Sequence, residues 1–87
     1  MIEVESEGND VFRVTVDDGA KTTHRVTLTP SECERIGGEG VDPERLIEAS
    51  FQFLLEREPN TSILSAFELR VIGRYFPNFE RIIRDRL

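Results

Sequence analysis

The sequence predicts a small α+β domain, in which an antiparallel β-meander of about three strands is covered on one face by two to three helices. Two patterns predict this fold class. Residues 1–29 alternate apolar and polar side chains with a period of two, whereas residues 30–87 repeat apolar side chains at helical spacing. A chain of 87 residues has the size of one domain, so we expect residues 1–87 to form a single unit, with strands in 1–29 and helices in 30–87.

Three alternating runs predict the strands of the meander. Their apolar members are Ile2 and Val4, then Phe12, Val14 and Val16, and finally Val26 and Leu28. Residues 17–20, Asp-Asp-Gly-Ala, have a composition typical of a tight hairpin turn between the second and third runs. A meander keeps an unpaired strand at its edge, and such an edge can dock a second copy or an added strand.

Capping residues mark the first two helices. Thr29 can cap a short helical turn, which the glycines at 37 and 38 end. Asp42 can accept hydrogen bonds from the free amides of the first full helix, which we expect to run to about Arg57. Residues 59–62, Pro-Asn-Thr-Ser, are then expected to form a loop and a new cap.

The last segment is predicted to be helical from Ile63 to the end, with a corner at Phe67–Glu68 and a kink at Pro77. Wound as one helix, its apolar side chains share a side: Ile72, Tyr75, Phe76, Phe79, Ile82 and Ile83. Four basic side chains lie on the other side, within about 40° of a common line: Arg70, Arg74, Arg81 and Arg84. This stripe requires one register across Pro77, since a sharp kink would divide it into pairs.

The arginine stripe, Arg70, Arg74, Arg81 and Arg84, is the candidate interaction surface of the chain. Guanidinium groups can bind phosphates or an acidic partner surface. Charged residues opposite an apolar face are also what any solvated amphipathic helix shows. In a dimer, the acidic face of the first strand could meet the stripe of the second copy. The sequence does not identify the partner.

Composition narrows the function classes. The net charge is −6, from 17 acidic and 11 basic residues, which disfavours a dedicated nucleic-acid binder. Residues 1–44 hold eleven acids and four bases, a net of −7, and residues 45–87 hold six acids and seven bases, a net of +1. With no signal segment or membrane-length apolar run, and with a single cysteine, we expect a cytoplasmic protein without a membrane partner.

No catalytic, cofactor or metal site is indicated. His24 shares the parity of the apolar strand residues, and catalysis or metal binding would need several converging groups. Cys33 lies near a helix N-terminus, which lowers a thiol pKa, but Glu32 and Glu34 flank it and oppose thiolate formation. We therefore interpret His24 as a hydrogen-bonded structural residue and Cys33 as a small buried side chain, and we expect no cofactor.

Segments of the C-terminal half are similar to those of other proteins. The run Ser50–Pro59, the segments Ser62–Leu64 and Phe67–Leu69, and the run Tyr75–Glu80 resemble a family of short bacterial proteins known only as hypothetical. The similarity covers nearly the whole chain and implies a bacterial protein, but this family has no assigned activity and supplies no functional residue. The opening order of strand, strand and helix is also similar in topology to the antitoxins of the HicB family.

Two functions are compatible with these observations, and a third is weaker. The first is a non-catalytic protein-interaction module, homodimeric or bound to another protein, acting through a sheet edge or the last helix. The alternative is a small antitoxin-like regulator whose arginine stripe contacts nucleic acid, which the charge of −6 disfavours. An enzyme would need a cleft that brings His24 near Cys33 or a carboxylate.

Overall fold

The computed structural model describes all residues, 1–87. The strands are β1 (Ile2–Gly8), β2 (Val11–Asp18), β3 (Ala20–Thr27) and β4 (Ala66–Glu68). The helices are α1 (Pro30–Gly37), α2 (Pro43–Leu55), α3 (Ile72–Tyr75) and α4 (Phe79–Arg86). Two 3₁₀ turns, Asn60–Ser62 and Leu69–Val71, complete the secondary structure. No helix is both long and apolar enough to span a bilayer.

The predicted α+β meander is confirmed, with one more strand than expected. The sheet has the order β1-β2-β3-β4, and its first three strands are antiparallel. Gly19, with φ near +83°, forms the tight turn between β2 and β3. The prediction that residues 30–87 are entirely helical is wrong at β4, which pairs with β3 in parallel. Three residues are too few to show a period of two, and β4 forms because β3 presents a free edge to it.

Local capping determines where α1 and α2 begin. Thr29 accepts a hydrogen bond from the Glu32 amide at 3.2 Å, and Asp42 accepts one from the Glu44 amide at 3.1 Å. Gly38 follows α1 with φ near +99°, a conformation that favours glycine. Both predicted helix starts are therefore confirmed.

The core lies between one face of the sheet and the helices. Val14, Val16 and Val26 from the sheet have no exposed surface, and α2 contributes Leu46, Ile47 and Phe51 to the same layer. Phe53 of α2 is also buried and packs against Phe79 of α4, with ring centroids 5.3 Å apart. The other face of the sheet carries exposed polar side chains and no covering element.

The prediction of one kinked helix over the C-terminal segment is wrong. The chain forms the turn Asn60–Ser62, β4, the turn Leu69–Val71 and then two separate helices. Phe76, with φ −131° and ψ 89°, has left the helical region before Pro77. A residue before proline is pushed towards extended backbone, and proline cannot donate a helical hydrogen bond, so α3 ends and α4 begins in a new register.

Candidate functional site

The four arginines of the predicted stripe lie on three elements. Arg70 belongs to the turn Leu69–Val71, Arg74 to α3, and Arg81 and Arg84 to α4. Because the backbone leaves the helical conformation at Phe76, these arginines do not lie on one continuous helix, and the predicted alignment of their side chains does not apply. The structure divides the predicted stripe, and each arginine has its own surroundings.

Two of these arginines are held by other parts of the chain. Arg70 forms an ion pair with Glu68, 3.0 Å from Nη2 to Oε2. Arg84 donates from Nε to the carbonyl oxygen of Ile36 at 3.0 Å and from Nη2 to that of Arg35. These carbonyls belong to the last turn of α1, where helix carbonyls lack intrahelical partners and attract cations. Arg84 thus serves to attach α4 to α1.

Arg74 and Arg81 are the free members. Both side chains are exposed, and neither lies within ion-pair distance of an acid or forms a hydrogen bond. Their guanidinium groups can therefore meet a partner without breaking an existing contact. The candidate surface of four arginines reduces to two that are available.

A second arginine cluster, which the sequence did not indicate, lies at the C-terminal end of α2. The guanidinium of Arg57 stacks 3.7 Å from the ring centroid of Phe53. Arg86 donates two hydrogen bonds to Glu56, at 2.6 and 2.8 Å. These bonds hold the pKa of the Glu56 carboxyl below its usual range and raise the pKa of Arg86. The last turn of α4 is fixed against α2 by this fork.

His24 is a structural residue with both ring nitrogens engaged. It is 2% exposed, and its Nδ1 lies 2.8 Å from the carbonyl oxygen of Leu64. A carbonyl can only accept, so Nδ1 carries the proton and donates it. Nε2 lies 2.8 Å from the Thr22 hydroxyl, which also accepts a hydrogen bond from Asn60 at 3.0 Å. Nε2 is thus engaged by the Thr22 hydroxyl, and neither nitrogen is free for catalysis or metal binding.

Cys33 is buried and disfavoured as a nucleophile. Its thiol lies 3.7 Å from the carbonyl oxygen of Val41. Burial raises the pKa of the Cys33 thiol, and the nearby Asp42 carboxylate raises it further. Thiolate formation is therefore opposed, but by burial and Asp42 rather than by the flanking Glu32 and Glu34 that the sequence indicated. The structure brings together no group of three or more His, Cys, Asp or Glu side chains that could hold a metal ion.

An apolar groove is the feature that the sequence did not reveal. It lies between the end of α2, the following loop, β4 and α3, and its volume is about 340 Å³. We define the apolar groove by its lining: Leu54, Glu58, residues 62–64, Phe67, residues 71–72 and residues 75–76. Leu64 and Tyr75 on this lining are 48% and 66% exposed, the most exposed large hydrophobic side chains after Met1. Exposed apolar side chains gathered at one place mark a binding surface.

One charged residue, Glu58, lines the apolar groove. Its side chain is half-buried and lies within ion-pair distance of no base. A carboxylate that loses part of its hydration without gaining a counter-charge is unfavourable. The groove therefore favours an occupant that is apolar and brings a cation.

The free edge of β1 is the other candidate surface. Met1 and Asp17 exchange two backbone hydrogen bonds across β1 and β2. Hydrogen-bonded and non-hydrogen-bonded pairs alternate along an antiparallel ladder, so the N–H and C=O groups of Ile2, Val4 and Ser6 point away from β2. Three glutamates share the opposite parity: Glu3, Glu5 and Glu7. Antiparallel pairing of β1 with its own copy, with core faces aligned, places these glutamates opposite one another in most registers, which is destabilising, and Arg13 of β2 pairs with only two of the three, Glu5 and Glu7. The β1 edge is therefore a poor surface for self-association.

Comparison with known proteins gives no match to this chain, whether with family models, with curated proteins or with solved structures. The apolar groove and the free arginines are therefore the features from which its function is inferred.

Proposed function

We propose that this chain is a non-catalytic protein-interaction module that forms a homodimer through the apolar groove. One observation carries the proposal: Leu64 and Tyr75 are exposed beside an apolar groove of about 340 Å³. Burying both side chains in a second copy would remove apolar area from water, which is the main driving force of association. The proposal includes a bacterial cytoplasmic location, where the unpaired thiol of Cys33 stays reduced.

The geometry of the rest of the chain supports the groove over the other surfaces. The β1 edge repels its own copy, and the open sheet face is covered by charged and hydroxyl side chains. The two candidate catalytic side chains serve structural roles, because His24 has no free nitrogen and Cys33 is buried with a raised pKa. A non-catalytic function accords with these placements.

The proposal is tested by removing the two exposed apolar side chains. We expect Leu64→Ser/Tyr75→Ser to raise the dimer dissociation constant at least about 100-fold, because truncating a central interface residue costs about 1–2 kcal/mol and the symmetric dimer contains each of these residues twice. Light scattering after size exclusion measures the change. The control, Lys21→Ser/Thr23→Ser on the open sheet face, leaves the dimer intact. A wild-type chain that stays monomeric, or a groove variant that dimerises normally, would refute the proposal.

A second function, the antitoxin-like regulator that contacts nucleic acid, is favoured by the free Arg74 and Arg81. With Arg70 and Arg84 engaged within the chain, about two phosphates can be neutralised rather than four. The logarithm of the binding constant should then fall with log salt at a slope of about −1.8. Filter binding of duplex DNA across a salt series tests this, and the absence of binding at low salt would exclude it.

A further inference from the structure

We propose that the two copies pack about a two-fold axis across the apolar groove, so that Glu58 of each protomer faces Arg74 of the partner subunit. This arrangement rests on the proposed homodimer and adds its geometry and its electrostatic partners. The occupant of the groove is a second copy of this chain, which supplies the apolar side chain of Tyr75 and the cation of Arg74.

The first support is the state of Glu58. Glu58 is a half-buried residue and the single charged residue on the lining of the groove, and no base lies within ion-pair distance of it. Closing the groove with a purely apolar surface would desolvate this carboxylate further and weaken binding. A partner that carries a base beside its apolar contact residue removes that penalty.

The second support is the position of Arg74. It precedes Tyr75 on α3, and Val71, Ile72, Tyr75 and Phe76 all line the groove. A long arginine side chain beside this lining can cover the rim while its guanidinium stays unpaired. Arg81 is equally free, but α4 contributes no residue to the groove. Arg74 is thus an unpaired cation on the helix that supplies part of the groove's lining.

Two-fold symmetry makes these features complementary. In an isologous interface, a contact from residue i to residue j is repeated from j to i. One copy supplies Tyr75 and Arg74 from α3, and the other supplies the groove and Glu58, and then the roles are exchanged. Each dimer contains the ion pair twice, and no charge on the groove remains unpaired.

A stable dimer interface needs more buried area than the groove provides, so the contact must include the surface around the groove. A stable interface buries about 800 Å² on each partner, roughly a sixth of the 5154 Å² of surface on this chain. A groove of about 340 Å³ is too small to supply that area by itself. The α3 face around Arg74 is the adjoining surface, and it offers an unpaired charge rather than one already engaged.

Charge reversal provides a direct test, because the two single variants complement each other. In a homodimer of Glu58→Arg, two bases face each other at each contact, and in a homodimer of Arg74→Glu, two acids do. Because like charges repel, the dimer dissociation constant of each variant alone should rise by at least about tenfold. In an equimolar mixture, both contacts again join an acid and a base. We expect a heterodimer with an affinity within about threefold of the wild type, measured by sedimentation velocity with one variant labelled.

Controls with the same charge changes lie outside the groove. Arg81→Glu and Glu39→Arg alter exposed residues without ion pairs and should dimerise as the wild type does. Far-UV circular dichroism and urea midpoints establish that each variant folds. If a reversal variant does not fold, the milder Glu58→Gln and Arg74→Gln replace it, and each should weaken the dimer because one side of both ion pairs is lost.

The outcomes separate this inference from the proposed function. A dimer that the groove variant breaks but the charge variants leave unchanged overturns the reciprocal pairing and leaves the module intact. Single variants that lose the dimer and are not rescued by mixing also overturn the pairing. A wild-type chain that is monomeric, or whose groove is filled instead by an apolar peptide or a small molecule, overturns both.

Discussion

Asn60 is the residue that ties the β2–β3 hairpin to the loop beside the apolar groove. It is 2% exposed, and its amide donates to the carbonyl oxygen of Ala20 at 2.7 Å and to the Thr22 hydroxyl at 3.0 Å. Thr22 passes the chain of hydrogen bonds to His24, whose Nδ1 donates to Leu64. Three polar side chains, Asn60, Thr22 and His24, thus hold the backbone at Leu64 in place.

Removing the Asn60 amide should destabilise the fold. We expect Asn60→Ala to lower the free energy of unfolding by about 2 kcal/mol, because the Ala20 carbonyl and the Thr22 hydroxyl lose a buried partner. Urea denaturation measures this loss. Thr61→Ala, at the exposed neighbouring position, is the control and should change stability by less than about 0.5 kcal/mol. Equal stability of the two variants would show that the network contributes nothing.

For individual residues, the sequence predicts which face of the sheet a side chain occupies but not its hydrogen-bond partners. The parity of His24 with Val26 correctly placed its ring on the core face. Its partner Leu64 lies 40 residues away, and no local pattern connects the two. Asn60 was expected to lie in a loop, since asparagine favours turns, and its burial follows only from the tertiary fold.

The packing of α4 against α1 is the element-level feature that uses one of the predicted arginines, Arg84. Arg84 binds the terminal carbonyls of α1, and Arg35 at that end of α1 pairs with Glu80 of α4 at 2.9 Å. The hydrogen bonds that Arg35 donates to the neighbouring Glu32 and to Glu80 raise the pKa of Arg35. The two helices therefore exchange contacts in both directions.

Two arginines on α4 give a matched comparison. Arg84→Ala should lower the free energy of unfolding by about 1–2 kcal/mol, because charge-assisted hydrogen bonds to the α1 carbonyls are lost. Arg81→Ala removes the same side chain from the same helix, where it is exposed and forms no ion pair, and should cost less than about 0.5 kcal/mol. Thermal unfolding followed by circular dichroism compares them. If Arg81→Ala proves as costly as Arg84→Ala, the docking role of Arg84 is wrong.

The fork between Arg86 and Glu56 gives a prediction about pH. Because the pKa of Glu56 is lower in the folded chain, its stabilising contribution is present above the ordinary glutamate pKa and is lost as pH falls through the lowered pKa. Carboxyl NMR should show Glu56 titrating below the ordinary glutamate range, and Arg86→Ala should raise that pKa. Arg81→Ala should leave it unchanged. An identical Glu56 titration in the wild type and Arg86→Ala would contradict the account.

Elements were predictable where their signals are local. Thr29 and Asp42 are followed within three residues by the amides that they cap, so the sequence alone predicts both helix starts. β4 was missed because its three residues gain their strand conformation from β3. The sequence predicted a helix kink at Pro77, whereas the structure has two separate helices. A kink and a break differ in how the flanking helices pack, which the local sequence does not determine.

On the scale of the whole molecule, the surfaces divide by chemistry. The β1 edge and the open sheet face are polar and charged, whereas the exposed Leu64 and Tyr75 gather at the apolar groove. The sequence could not predict this groove, because its lining comes from α2, a loop, β4 and α3. Leu64 and Tyr75 were both predicted to be helical, on either side of a corner at Phe67–Glu68, whereas Leu64 lies in the segment before β4. A function in self-association is inferred from the assembled surface rather than from any single motif.

The most direct test of the homodimer is a dilution series followed by ¹H–¹⁵N NMR, from about 1 mM to about 10 µM, a range that covers weak and moderate affinities. The account predicts concentration-dependent shifts confined to residues 58–64 and 71–76, with the amides of residues 2–8 unchanged. Shifts concentrated on residues 2–8, or no shift at any concentration alongside a monomeric mass, would contradict the groove as the dimer interface.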